Sequence, residues 1–185
     1  LAENSLAEIE PGIRSQGQEL PTLVLDANLV LMAQMKQGNY DKNAAVLRGE
    51  TLAAWQNRMS RFGQHEVVCD LALIRALASC TFGDFTETLS AIREAAPSRA
   101  AFAGQLADAV LYFLELVARL RLGEKPGHTA YRTARWLNKL AAINPSVFES
   151  KALMARGMLR YRHRGRSAAF DLFDKAISCA RANGN

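Results

Sequence analysis

Strand signals are nearly missing from this chain: no run alternates β-branched with polar residues, and no Asn-Gly turn joins two such runs. That excludes a sheet as the organising element. Aromatic residues make up only 8% of the sequence while Ala and Leu are plentiful. The core must therefore come from close approach of small and medium side chains, as in helices packed on helices. No apolar run approaches the ~18 residues a membrane span needs, and no charged-then-apolar leader opens the chain, so a soluble protein is expected. The three cysteines, Cys69, Cys80 and Cys179, are an odd number with no C-x-x-C pair. Neither a disulfide framework nor a zinc knuckle is written here, and a reducing cytoplasm is the expected compartment. G-x-x-x-x-G-K-[ST], G-x-G-x-x-G after a strand, H-E-x-x-H and G-x-S-x-G are all missing. His65, His128 and His163 are scattered, each near a predicted helix end. No catalytic residue, metal or cofactor is assigned.

Helical periodicity is what the chain does have. Between Ala101 and Leu122, Phe102, Leu106, Ala109, Phe113, Leu116, Val117 and Leu120 recur at steps of three and four, while Gln105, Asp108, Glu115 and Arg119 line the other side. Glu115 precedes Arg119 by four, the favourable order for an ion pair on a helix. Short Gly, Asn, Asp and Pro-bearing breaks divide the remainder into predicted helices at 22–37, 41–61, 65–81, 85–96, 99–122, 128–143, 146–163 and 167–182. An earlier helical stretch around Leu6 is started or interrupted by Pro11. Asp41, Asp84, Ser98 and Ser146 are candidate N-caps. Such short connections make consecutive helices antiparallel neighbours, a row of hairpins. A length of 185 residues suits one domain and is short for two, so residues 1–185 are read as a single helical repeat domain. Because it starts at Leu1 and ends without the usual stop signals, the chain is expected to be a piece of a larger protein.

Repetition decides between a closed bundle and an open array. "MKQGNYDKNAAVL" and "SCTFGDFTETLSAI" share a Gly, a polar residue, an aromatic and a helix, 45 residues apart. In residues 146–182, Gly157, Ala169, Phe173 and Ala176 fall at intervals of twelve, four and three. These are the small, small, aromatic and small positions of the tetratricopeptide repeat. The expected mechanics are that Gly157 lets one helix approach the next, Ala169 and Ala176 form the matching groove, and Phe173 fills space toward the following hairpin. Upstream the pattern is degenerate, with Leu31 at the Gly position and Asn43 and Thr88 in place of the small residue. The fold class expected is all-α: antiparallel helical hairpins stacked as an irregular tetratricopeptide-like superhelix.

"GDFTETLSAIREAAP", a long apolar helix, and then "WLNKLAAINPSVFESKALMARGMLRYRHRGRSAAFDLFDKAISCARANGN" together resemble the helical superhelix domain of bacterial signalling proteins built on STAND-type ATPases. The array of maltose-activator-type transcription regulators is similar. The resemblance covers roughly residues 65–185 and is densest from Asn144 to Asn185. It implies a parent that joins kinase-like, ATPase, helical and sensor-kinase or output domains. It also implies that Ala-Arg-x-Asn-Gly leads into another helix pair, with Gly184 ending the helix in the left-handed conformation.

Charge is unevenly spread. Residues 1–100 carry nine Lys/Arg against twelve Asp/Glu, and residues 101–185 carry fourteen against six, a net of −3 and +8. Arg132, Arg135 and Lys139 share a helix face, and Arg156, Arg160, Arg162, Arg164 and Arg166 crowd the end of the next helix. A phosphate, nucleotide or nucleic-acid contact is one reading of this cluster. A solvated face, or one that meets an acidic neighbouring domain, is the plainer reading. It is preferred because no aromatics are regularly interleaved for base stacking and Arg near a helix C-terminus is favourable anyway. Trp55 and Trp136 read as packing residues. The function expected is a non-catalytic interaction or sensing module whose groove takes a peptide, a small signal molecule or another domain of the same chain. The alternative is a nucleic-acid-binding helical domain working through the basic half.

Overall fold

The computed structural model describes residues 19–46 and 49–183. They form eight α-helices: α1 (Glu19–Gln37), α2 (Leu52–Arg61), α3 (His65–Thr81), α4 (Phe85–Ala95), α5 (Leu106–Arg121), α6 (His128–Ile143), α7 (Pro145–Arg164) and α8 (Ser167–Ala182), with a short 3-10 helix, Ala96–Phe102, between α4 and α5. The only extended pairing among the described residues is an isolated bridge between Ala45 and Thr51. The described residues are all-α, and the helices pack mainly with sequence neighbours: α2 on α3, α3 on α4, α6 on α7, and α7 on α8. No helix of the described residues is long and apolar enough to cross a membrane. The contacts divide into two compact units, the first ending at Leu111 and the second beginning at Tyr112, inside α5.

In the first unit, Leu23, Ala27, Trp55, Met59, Val68, Cys69, Leu71, Ala72, Ile74 and Ala95 form one buried apolar cluster. Within α3, small residues at Ala72, Ala76, Ala78 and Ser79 are buried beside larger ones, which is how a helix poor in aromatics comes close to its neighbours. A charge is buried with them. Arg75, only 4% exposed, donates to Glu87 Oε1 at 2.6 Å, to Glu94 Oε2 at 2.7 Å and to Gln56 Oε1 at 2.6 Å. Gln56 in turn donates to the Ala91 carbonyl at 3.1 Å. Arg75 thus ties α2, α3 and α4 together. The Gly-aromatic turns noticed in the sequence also meet: Tyr40 stacks on Phe82 with ring centroids 6.0 Å apart. Burial, then the Glu87 carboxylate, push the Tyr40 hydroxyl up to about 12.

In the second unit, Gly157 of α7 lies under the ring of Phe173 of α8. A Cβ at that position would stand 2.7 Å from Phe173 Cε1, so only glycine admits the ring where it is. Ala169 and Ala176 are buried on either side. The same spacing recurs in the first unit, where Ala76, Thr88, Ile92 and Ala95 fall at intervals of twelve, four and three and are all buried. Each stands 81 residues before its counterpart. The register extends along the helices: buried Leu71, Ile74, Ala76 and Ala78 of α3 correspond to buried Ala152, Ala155, Gly157 and Leu159 of α7.

Several expectations are corrected. Residues 41–46 are not helical, and α2 begins at Leu52, where Thr51 Oγ1 accepts from Ala54 N at 3.2 Å. Asp41 caps no helix; its Oδ1 accepts from Asn43 N at 2.8 Å within a turn. The predicted helix at 99–122 is split, because the 3-10 helix ends at Phe102 and Gly104 takes φ +84. Leu106 is consequently 53% exposed rather than part of the buried stripe. Ser98 lies inside the 3-10 helix, its hydroxyl 2.9 Å from His65 Nδ1. At the start of α7 the cap position is Asn144 with Pro145 first in the helix, and Ser146 Oγ donates to Asn144 Oδ1 at 2.8 Å. Asp84 does cap α4, accepting from Glu87 N at 3.0 Å. The Glu115–Arg119 pair forms at 3.0 Å. The helix placed around Leu6, the side chain of Phe102 and the turn at Gly184 lie outside the described residues.

Candidate functional site

α5 and α6 carry the most site-like geometry of the second unit. Two cavities lie between residues of these helices and share Tyr112 and Thr133. The first, about 390 Å³, runs along Glu115, Arg119, Glu124, Lys125 and the start of α6. It neutralises its own charge: Arg119 bonds both Glu115 and Glu124, each at 3.0 Å. The second, about 600 Å³ and open, is lined by Tyr112, Arg132, Thr133, Arg135, Trp136 and Lys139. No carboxylate lines it.

The sequence places these cations by helical arithmetic. Positions 132, 135 and 139 fall within one stripe of α6, with their Cα atoms about 4.5 and 6 Å apart along the axis. Thr133, Ala134 and Leu137 are buried on the packed side of the helix, which leaves Arg132, Arg135 and Lys139 exposed. Among the described residues none of the three makes an ion pair or hydrogen bond. Trp136 meets Tyr112 edge to face, with centroids 5.4 Å apart and planes at 87°. Trp136 is half-buried, a packing residue that also floors the cavity.

The other predicted cations do not join them. Arg156, Arg160, Arg164 and Arg166 are exposed along α7 and the following turn. Arg162 is used within the fold, where its guanidinium donates to the Leu120 carbonyl in the last turn of α5 and its charge complements the negative end of that helix. His163 lies against Tyr131, ring centroids 5.8 Å apart. Phe173, expected to reach toward a following hairpin, covers Gly157 of its own hairpin. Among the described residues no three His, Cys, Asp or Glu side chains gather as a metal site. Cys69 is buried, and burial followed by Asp70 pushes its thiol up to about 11. Tyr112 is the floor residue that the sequence did not reveal, since nothing local marks which residue of α5 faces the α6 stripe. Comparison with protein-family models, with curated proteins and with solved structures finds no match for this chain.

Proposed function

We propose that this chain is a non-catalytic interaction module, a tetratricopeptide-like array of helical hairpins that binds a protein or peptide partner, and that it serves as the helical part of a bacterial multidomain signalling protein. The observation that carries the reading is the shared register of the two hairpins, α3/α4 and α7/α8, in which residues 81 apart hold the same buried small and large positions. Repeated hairpins of this kind cannot bury their faces alone, so they stack and present extended surfaces on which partners bind. The resemblance of residues 65–185 to helical domains of STAND-type signalling proteins supports the same role. In such a parent, a partner that binds one state of the array better than another shifts a neighbouring ATPase or kinase between states. In-frame excision of residues 112–185 from the full-length protein tests this. A lost or altered signal response is expected, and an unchanged response overturns the proposal. A second reading, nucleic-acid binding through the basic half, is favoured by the fourteen Lys/Arg against five Asp/Glu in residues 112–185.

A further inference from the structure

We propose that the groove floored by Tyr112 and Trp136 and fringed by Arg132, Arg135 and Lys139 docks an acidic helical segment of a partner protein. Its carboxylates would face the three cations and its apolar residues the ring floor. The inference rests on the reading of the chain as an interaction module and gives that module a site and a partner chemistry.

Three cations line one cavity with no carboxylate in its wall and no ion pair among the described residues. The adjoining cavity shows the contrast, because there Glu115 and Glu124 already hold Arg119. Uncompensated positive potential around a concave surface favours an anionic partner and repels a cationic one. Spacing argues next. The cations rise along α6 by about 4.5 and 6 Å, the rise that Glu residues at i, i+3 and i+7 show along a facing helix. Shape excludes the main competitors. The cavity is open, whereas sites for small ligands enclose most of the molecule they hold. Single-stranded nucleic acid would need aromatic faces free for stacking, but the rings of Tyr112 and Trp136 stand perpendicular, 87° apart, and offer no parallel pair between which a base slides. Trp, Tyr and Arg are also the side chains that dominate binding energy at protein interfaces.

Trp136 is a built-in reporter, since the only other tryptophan is Trp55 in the first unit. Trp55→Phe in the whole chain leaves Trp136 to emit alone. Should that variant fold poorly by circular dichroism, anisotropy of a labelled peptide on the unaltered chain reads the same event. The probe is an end-capped helical peptide of roughly fourteen residues with Glu on one face and Leu on the other. The expected result is a saturable change in Trp136 emission that weakens with added salt and is not produced by the peptide with Lys in place of Glu. Arg135→Glu with Lys139→Glu is expected to weaken binding about tenfold or more, while Arg160→Glu with Arg164→Glu changes it by less than about threefold. No saturable response in either readout overturns the proposal. So does equal weakening in both reversed variants, which would assign binding to diffuse charge. Tighter binding of a single-stranded oligonucleotide or of inorganic phosphate, lost in the Arg135/Lys139 variant, overturns it in favour of a phosphate site. Failure here leaves the excision experiment unaffected, so the groove and the module fail separately.

Discussion

Arg75 and Arg156 stand 81 residues apart at the same register of two hairpins and have opposite surroundings. In the first hairpin Arg75 is buried between Glu87 and Glu94. In the second, the positions equivalent to those carboxylates are Ala168 and Lys175, and Arg156 is exposed. Leu89 in α4 is 3% exposed, while its counterpart Phe170 in α8 is 55% exposed. The same helical framework has thus been used in two ways. The first unit consumes its charge internally, as an ion network that orders three helices. The second pairs Arg119 within itself but leaves Arg132, Arg135, Lys139 and Arg156 exposed and without an ion pair among the described residues, where they can act on something else. Residues 1–111 carry nine Lys/Arg against thirteen Asp/Glu, whereas residues 112–185 carry fourteen against five.

Removing Arg75 should break this contrast most violently. Arg75→Met preserves much of the side chain's volume but strands Glu87 and Glu94 beside Gln56 without their cation. Loss of one partner from a buried ion network costs about 3–5 kcal/mol. Urea unfolding should show that loss, whereas Arg156→Met should stay within about 0.5 kcal/mol. Equal effects would mean that Arg75 does not tie the three helices together.

The second break concerns packing. Gly157→Ala gains about 1 kcal/mol of helix propensity but drives a methyl into the Phe173 ring, an overpacking that costs about 1–3 kcal/mol. A net destabilisation of about 1 kcal/mol is expected, since the half-buried ring yields in part. Adding Phe173→Ile converts the pair to the Ala76 and Ile92 of the first hairpin. The double variant should match or exceed the parent's stability, and a double-mutant cycle with no coupling between the two sites would refute the contact.

The two units also differ in how much of each is legible from the residues alone. The helices at 65–81, 128–143 and 167–182 stand where the sequence predicts them, because Gly or Pro interrupts the periodicity on both flanks or nearby. Residues 41–46 mislead because Ala44, Ala45 and Val46 fit a helical stripe, while the decisive facts are local: Gly49 at φ +73 and the Thr51 cap. Gly104 splits the predicted helix at 99–122 for the same kind of reason. Arg132, Arg135 and Lys139 are legible as one stripe, since a single helix sets their spacing. The floor at Tyr112 is not, because it comes from another helix. The Arg75 network is invisible for a different reason: its carboxylates lie 12 and 19 residues away, and an arginine in a helix reads as surface until its partners are located.

A smaller effect should come from rebuilding the first unit's chemistry in the second. Ala168→Glu with Lys175→Glu supplies Arg156 with the carboxylates that Arg75 has. Arg156 is exposed, so the gain should stay below about 1 kcal/mol. Part of it would come from placing a carboxylate in the first turn of α8, near the positive end of that helix, and part from relieving repulsion in a unit rich in unpaired cations. Native-state hydrogen exchange in α7 and α8 should slow modestly at about 10 mM salt, and the difference should fade near 150 mM as the Debye length contracts from about 30 to about 8 Å. A gain that is independent of salt would assign the effect to helix propensity rather than charge.

The smallest expected effect tests whether every charge in the first unit is compensated. Asp70 is half-buried in α3, and burial, with the Glu66 carboxylate one turn away adding to it, raises its pKa above the ordinary 3.8. A carboxyl raised in the folded state holds its proton there more tightly than in the unfolded chain. Its ionisation therefore opposes folding, and the penalty grows as pH rises from 3.8 through the higher folded value, then stays constant above it. Asp70→Asn should remove that penalty and stabilise the protein at neutral pH by less than about 1 kcal/mol, because the side chain still reaches water. The gain should shrink as pH falls toward 3.8, where the parent carboxyl is protonated in the folded protein and carries no penalty. Urea midpoints across this window decide the matter: a gain that instead grew on acidification would mean that Asp70 is held by an attractive partner, and that the first unit compensates this charge as it does Arg75.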